Sequence, residues 1–102
     1  MSIINKFKEV ICNKGFVERE LTEPDEFEIY YNDYGEYICY IIFYTNTKTF
    51  TFILKDICND ICISRMYAEF ELTLFSADLQ QFLYETLHEQ KDMLVDYIKK
   101  EI

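Results

Sequence analysis

Four cysteines and one histidine are the side chains of this 102-residue chain best suited to nucleophilic, redox or metal chemistry. Cys58 and Cys62 stand four positions apart, which supplies half of the ligand set that structural zinc requires. Cys12 and Cys39 fall in separate predicted elements and lack the spacing of a second half-site, while His88 falls in a predicted helix. We therefore expect ordinary free thiols, with no metal and no other cofactor.

Catalysis of the serine–histidine or cysteine–histidine kind needs a histidine base beside the nucleophile. His88 is the single histidine, and its neighbours Glu85, Glu89 and Lys91 indicate a solvated helix position. The two glycines are isolated from one another, so the chain has no glycine-rich phosphate loop. No catalytic residue can be assigned, and we expect a protein that is not an enzyme.

Carboxylates are the most abundant candidate functional groups. Nineteen acids against ten bases give a formal net charge of −9. Residues 16–44 hold eight acids and one base, Arg19, which is not the mixed-sign pattern of an ordinary surface. The eight acids are Glu18, Glu20, Glu23, Asp25, Glu26, Glu28, Asp33 and Glu36.

Several of these acids stand two residues apart in predicted strands or their lead-ins. Such pairs share one face of a strand at a separation of about 7 Å, where like charges destabilise the sheet. Either the acids keep the protein soluble, or they form a negative surface for a partner. The pairs are Glu18/Glu20, Glu26/Glu28 and Glu69/Glu71.

Tyrosine is enriched in the same region, with six of the nine tyrosines between residues 30 and 44. A tyrosine beside acids suits a protein interface, because the ring supplies buried area and the hydroxyl supplies a hydrogen bond. Tyr30, Tyr31, Tyr34 and Tyr37 are the candidate partner-binding anchors. The alternative is that they line an open sheet face as cross-strand pairs.

Apolar periodicity predicts the elements that carry these residues. Ser2 is placed to cap a first helix, and Gly15 is placed to end it. Strands are predicted over 16–21, 27–32, 37–44 and 49–54, with turns over 22–26, 32–35, 45–47 and 56–60. The alternation over 61–75 predicts a further, long strand with a bulge or bend.

The C-terminal segment is predicted to be helical from a cap at Ser76, with Asp78 complementing the dipole of the first turn. The polar run 88–92 interrupts the apolar stripe of this segment. The segment is therefore either one long helix or two shorter helices. The whole predicts an α+β fold in one domain, residues 1–102. An antiparallel sheet of four to five strands carries the N-terminal and C-terminal helices on one face.

Composition limits the class of partner. The acidic balance argues against direct binding to nucleic acid and against docking on anionic membranes. The N-terminus reaches Glu9 before any apolar run long enough for a signal peptide, and the longest such run, residues 37–44, is too short to span a bilayer. We expect a cytoplasmic protein that is a monomer or a dimer.

In length, acidity and order of elements, the chain resembles the small anti-CRISPR inhibitors encoded by phages and mobile elements. In some of these, an αβββαα fold presents acids to the basic groove where the CRISPR nuclease would hold DNA. The resemblance implies a nucleic-acid mimic that binds a basic protein surface, such as that of a CRISPR effector or another nuclease.

The leading hypothesis is accordingly a non-enzymatic inhibitor in which the acids of residues 16–44 supply charge and the four tyrosines anchor the partner. Two alternatives stay open. One is an immunity protein or antitoxin that plugs the active site of a toxin. The other is a small acidic chaperone or adaptor that binds through an apolar face of the sheet.

Overall fold

The computed structural model of the protein describes residues 2–20, 27–74 and 78–101. The fold is α+β, with helices on one face of an antiparallel sheet, as predicted. The predicted turn over 22–26 and the predicted cap Ser76 lie outside the described residues. The elements are α1 (Ile3–Asn13), β1 (Val17–Arg19), β2 (Phe27–Asp33), β3 (Tyr37–Tyr44), β4 (Thr49–Asp56), β5 (Ile61–Ala68), α2 (Glu69–Thr73) and α3 (Leu79–Glu101).

Both predicted ends of α1 are confirmed. The Ser2 hydroxyl accepts a hydrogen bond from the Asn5 amide at 3.2 Å. Gly15 adopts a φ of 99°, and the amides of Gly15 and Phe16 donate to carbonyls of the last helical turn at 3.2 and 3.0 Å. This pattern is the Schellman motif, which brings Phe16 back against the buried Ile11.

The five strands follow one another across the sheet in chain order, each antiparallel to the next. The central strand is β3, which the sequence predicts from its apolar residues on both faces. The β2–β3 turn is also confirmed, because the Asp33 carboxylate accepts the Gly35 amide at 2.8 Å and Gly35 has a φ of 90°. The β2–β3, β3–β4 and β4–β5 connections are short hairpins that keep these neighbouring strands paired.

The core lies between the sheet and the helices. Phe7 of α1 is fully buried, and its ring lies 5.5 to 6.3 Å from those of Phe43, Phe50, Phe52 and Phe82. These rings come from two central strands and from α3, so one side chain joins both helices to the sheet. Aromatic packing of this kind contributes beyond the area that it buries.

The long strand predicted over 61–75 is confirmed over 61–68 and wrong over 69–74, and its last position lies outside the described residues. Ala68 pairs with Thr49, the first residue of β4, so the sheet offers no partner to the residues that follow. The Glu71 carboxylate instead accepts the Ala68 amide at 2.8 Å and begins the short helix α2. Within α2, Leu72 is fully buried, which stabilises the turn away from the sheet.

The C-terminal segment forms one helix, α3, without a break at residues 88–92. Asp78 accepts the Gln81 amide at 3.0 Å and acts as its N-terminal cap. The helix continues because Gln90, although polar, lies in the buried stripe between Leu83 and Leu94. None of the described helices is long and apolar enough to cross a membrane.

Candidate protein-binding surfaces

The acids predicted to form one patch are divided between two ends of the β2–β3 hairpin. Glu18 and Glu28 lie on the helix-covered side, because Glu18 is opposite Tyr30 and Glu28 is two residues before it. Asp33 and the turn residue Glu36 lie at the other end, about 17 Å along the strand from Glu28. Glu20 is exposed just after β1. Glu23, Asp25 and Glu26 lie outside the described residues.

One of these carboxylates is already paired within the molecule. Glu28 forms an ion pair of 2.5 Å with Lys8 of α1, and both side chains are partly covered. Burial, and then the charges of Glu18 and Glu28, raise the pKa of Tyr30 to about 12. The structure thus brings Glu18 and Glu28 close to Tyr30, with Glu28 paired and Glu18 exposed.

The four candidate tyrosines occupy three different environments. Tyr30 is 7% exposed and stands edge-on to Phe43 at 5.6 Å, so its ring belongs to the core and offers no anchor. Tyr31 lies on the opposite side of the sheet beside Tyr40, with 6.4 Å between ring centroids. Tyr34 and Tyr37 flank the β2–β3 turn.

Tyr34 and Tyr37 line an open pocket of about 410 Å³ between the β2–β3 turn and α3. Leu54 and Leu87 form part of its wall, and the Nζ atom of Lys91 lies 5.3 Å from the centre of the Tyr37 ring. Glu36 and His88 complete the polar part of the lining. The pocket is therefore amphipathic, with charges of both signs.

A larger surface is the side of the sheet that faces away from the helices, which we call the open face. The register places alternate residues of every strand on it. Most of these side chains are exposed or half-buried, and most are apolar or aromatic. They are Val17, Arg19, Phe27, Ile29, Tyr31, Asp33, Ile38, Tyr40, Ile42, Tyr44, Thr49, Thr51, Ile53, Lys55, Cys62, Ser64, Met66 and Ala68.

The strongest alignment of acids lies on α3, in residues that sequence reasoning did not single out. Glu85, Glu89, Asp92 and Asp96 are all exposed and follow one another at spacings of four, three and four. At 3.6 residues per turn, these positions fall within about 60° of one another around the helix axis. We call them the acidic stripe. Their spacing of four, three and four residues could have indicated this alignment from the sequence alone.

Two residues of the acidic stripe have ion-pair partners. Arg65 of β5 lies 3.4 Å from Glu89, and His88 lies 3.5 Å from Asp92. All four side chains in these pairs are more than half exposed, so the pairs contribute little stability. A cation from another protein could therefore replace either partner at small energetic cost.

The cysteines are free thiols. Cys12, Cys58 and Cys62 are exposed, whereas Cys39 is buried in β3, and burial raises its pKa to about 12. A thiol with so high a pKa is protonated at neutral pH and therefore unreactive. Within residues 2–20, 27–74 and 78–101, no group of three or more His, Cys, Asp or Glu side chains could hold a metal ion.

Comparison with known proteins does not add to this geometry. No protein-family model, no curated protein and no solved structure matches the chain.

Proposed function

We propose that the protein is a non-enzymatic inhibitor that binds the basic, nucleic-acid-handling surface of a partner, such as a CRISPR effector or another nuclease. The observation that supports this proposal most directly is the acidic stripe on α3. A helix rises about 1.5 Å per residue, so the four carboxylates from Glu85 to Asp96 extend over about 16 Å. One strand of B-DNA carries about five phosphates over that distance.

The rest of the molecule supports the same class of partner. The formal charge of −9 would attract a basic surface from a distance and raise the rate of association. Glu28 is held by Lys8, and Glu18 and Glu20 lie on or just after β1, at the opposite edge of the sheet from β5, against which α3 packs. The site thus moves from residues 16–44, as proposed from the sequence, to a surface centred on α3.

The first experiment is a pull-down from host lysate with the full chain as bait. The loaded resin is divided into two portions, and bound proteins are eluted from one at low salt with duplex DNA and from the other at high salt without DNA. A nucleic-acid-handling partner should be released by both treatments, because DNA and the inhibitor compete for one basic surface. Capture of proteins that resist salt and DNA alike would count against the proposal.

The second experiment tests the stripe on the identified partner. The stripe variant is Glu85→Gln/Asp92→Asn/Asp96→Asn. The matched control is Glu9→Gln/Glu18→Gln/Glu20→Gln, which removes the same number of exposed carboxylates elsewhere. The stripe variant should associate about tenfold more slowly at low salt, and the control should associate at nearly the parental rate.

The matched design separates three outcomes. Equal losses in both variants would mean that only net charge matters, which contradicts a specific surface on α3. A loss in the control alone would return the site to the acids near β1. Unchanged binding in both variants would overturn the charge-based proposal.

A second candidate function, an adaptor or chaperone, has one specific observation in its favour, the apolar open face. Large exposed apolar surfaces mark protein interaction sites. A partner held by that face should remain bound at high salt, because apolar burial is not screened. It should also be lost when an acid is introduced on the open face and retained in the stripe variant.

A further inference from the structure

The open face has the anatomy of an interface, with an apolar centre and a polar rim. Two central rows of side chains cross the sheet from β1 to β5, and each crosses β3 at its middle. One row is Arg19, Ile29, Ile42, Thr51 and Met66, and the other is Val17, Tyr31, Tyr40, Ile53 and Ser64. Val17 is 56% exposed and Met66 is 61% exposed, although both are apolar.

Charge is distributed very unevenly between the open face and the rest of the molecule. Only three of the open-face residues carry charge, namely Arg19, Asp33 and Lys55, and all three lie at its margin. Their formal sum is +1 in a chain whose net charge is −9. Two copies would repel one another at most orientations but not when their open faces meet. A basic or acidic partner, by contrast, finds almost no complementary charge there.

The size of the open face is close to that needed for a stable dimer. The five strands contain three, seven, eight, eight and eight residues, which at about 3.4 Å per residue and about 4.8 Å between strands give a footprint of about 550 Å². Side chains make the accessible area larger than this footprint, and standard interfaces bury about 800 Å² on each partner. Two such faces can therefore form an interface of ordinary size.

We propose that a second copy of the chain covers the open face, so that two sheets pack against each other as a symmetric β-sandwich. Sheets pack face to face at about 10 Å, with apolar side chains from both inner faces between them. A two-fold axis near the middle of β3 brings Tyr40 and Ile42 of both copies together. Both helical layers then face outward, so each dimer displays two acidic stripes.

The test is the oligomeric state of the full chain, measured by sedimentation equilibrium over a range of concentrations. The parent should sediment with twice its chain mass of 12.4 kDa. The variant Tyr31→Glu/Met66→Glu introduces acids at two open-face positions, and both occur twice in a two-fold dimer. It should be a monomer, with the circular dichroism spectrum of the parent.

The matched control is Tyr84→Glu/Met93→Glu, which makes the same chemical changes at exposed positions of α3. This control should remain a dimer. If the first variant fails to fold, Met66→Gln provides a milder change that should raise the dissociation constant about tenfold. A monomeric parent, a dimeric Tyr31→Glu/Met66→Glu variant or an unaffected Met66→Gln variant would each overturn the proposal.

Salt separates this proposal from the proposed function. Dimerisation by apolar faces should persist or tighten as salt rises, because salt screens the repulsion between two acidic chains. Binding to a basic partner through α3 should weaken over the same range. Since the two contacts use opposite sides of the molecule, either can fail without the other. A purified parent that is monomeric, and that binds another protein through the open face at high salt, would favour the adaptor instead of the dimer.

Discussion

At the scale of single residues, Gly15 shows how one position fixes the path from α1 into the sheet. Its φ of 99° lies in a region that other residues enter at a cost of about 1–2 kcal/mol. A Cβ atom there would also stand 3.1 Å from Nδ2 of Asn32, whose side chain donates to the Lys14 carbonyl at 3.1 Å. The hydrogen bond from Asn32 thus connects the end of α1 to β2.

We therefore predict that Gly15→Ala lowers the free energy of unfolding by about 2 kcal/mol, measured by urea titration. Gly35→Ala is the matched control, because Gly35 has a similar φ of 90° but no neighbour within 4 Å of a new Cβ. It should lose only the backbone contribution. Equal losses at both positions would show that the contact with Asn32 is unimportant.

Gln90 is a polar residue buried in the core of the protein among apolar side chains. It is 2% exposed, and in the part of the chain that the structure describes neither its Oε1 nor its Nε2 has a hydrogen-bond partner. A buried polar group left in this state costs about 1–3 kcal/mol. Gln90 lies in the buried stripe of α3 between Leu83 and Leu94, so water does not replace the missing partners.

Replacing this side chain by an apolar one of similar size should increase stability. We predict that Gln90→Met raises the free energy of unfolding by about 1–2 kcal/mol in urea titration. Gln81→Met, on the exposed side of the same helix, should give no gain, since Gln81 already donates to Glu85 at 2.9 Å. A loss of stability in Gln90→Met would mean that the amide is satisfied in solution.

At the scale of elements, the β4–β5 hairpin depends on one carboxylate. Asp56 accepts hydrogen bonds from the amides of Cys58 and Asn59 at 2.9 and 3.1 Å, and from the Asn59 side chain at 3.1 Å. The bonds from Asn59, aided by that from Cys58, favour the charged form and lower the pKa of Asp56. The unfolded chain lacks this arrangement.

The direction of the pH effect follows from this lowered pKa. A carboxyl whose pKa is lower in the folded state contributes stability above its unfolded pKa and loses it as pH falls through the folded value. Asp56→Asn should therefore be less stable than the parent at neutral pH, with a difference that shrinks on acidification. Glu20→Gln, at an exposed position just after β1, is the control. A difference independent of pH would contradict the assignment.

The sequence predicted most of the elements because their signals are local. The Ser2 cap, the Gly15 terminus, the β2–β3 turn and the central position of β3 all follow from residue types within a few positions. The end of β5 at Ala68 could not be predicted in this way, because it depends on where β4 begins. Strand-like alternation over 69–74 is overridden by the absence of a pairing partner.

The candidate site was less predictable from the sequence, because the side of a strand that the helices cover depends on residues far away in the chain. Alternation shows that Phe27, Ile29 and Tyr31 share one side of β2, but not which side the helices cover. Tyr30 lies on the covered side, so the more apolar side of β2 is the one left open. Counting acids along residues 16–44 likewise could not show that Glu28 meets Lys8 of α1.

At the scale of the whole molecule, surplus negative charge opposes the compact state. Nineteen acids face ten bases, and the ion pairs found among the described residues are Lys8–Glu28, Lys55–Asp60, Arg65–Glu89 and His88–Asp92. Added salt screens both attraction and repulsion, but the three pairs other than Lys8–Glu28 are largely exposed and individually weak. Relief of repulsion should therefore dominate the response of the protein to salt.

We predict that the thermal unfolding midpoint rises by about 5 °C between low salt and high concentrations of sodium chloride, which corresponds to roughly 1 kcal/mol. The measurement is calorimetry at one fixed protein concentration. The variant Glu85→Gln/Asp92→Asn/Asp96→Asn removes three charges and should start from a higher midpoint at low salt, with a smaller response. A midpoint that falls with salt would mean that the few ion pairs outweigh the repulsion, and that the acidic stripe is internally balanced rather than available to a partner.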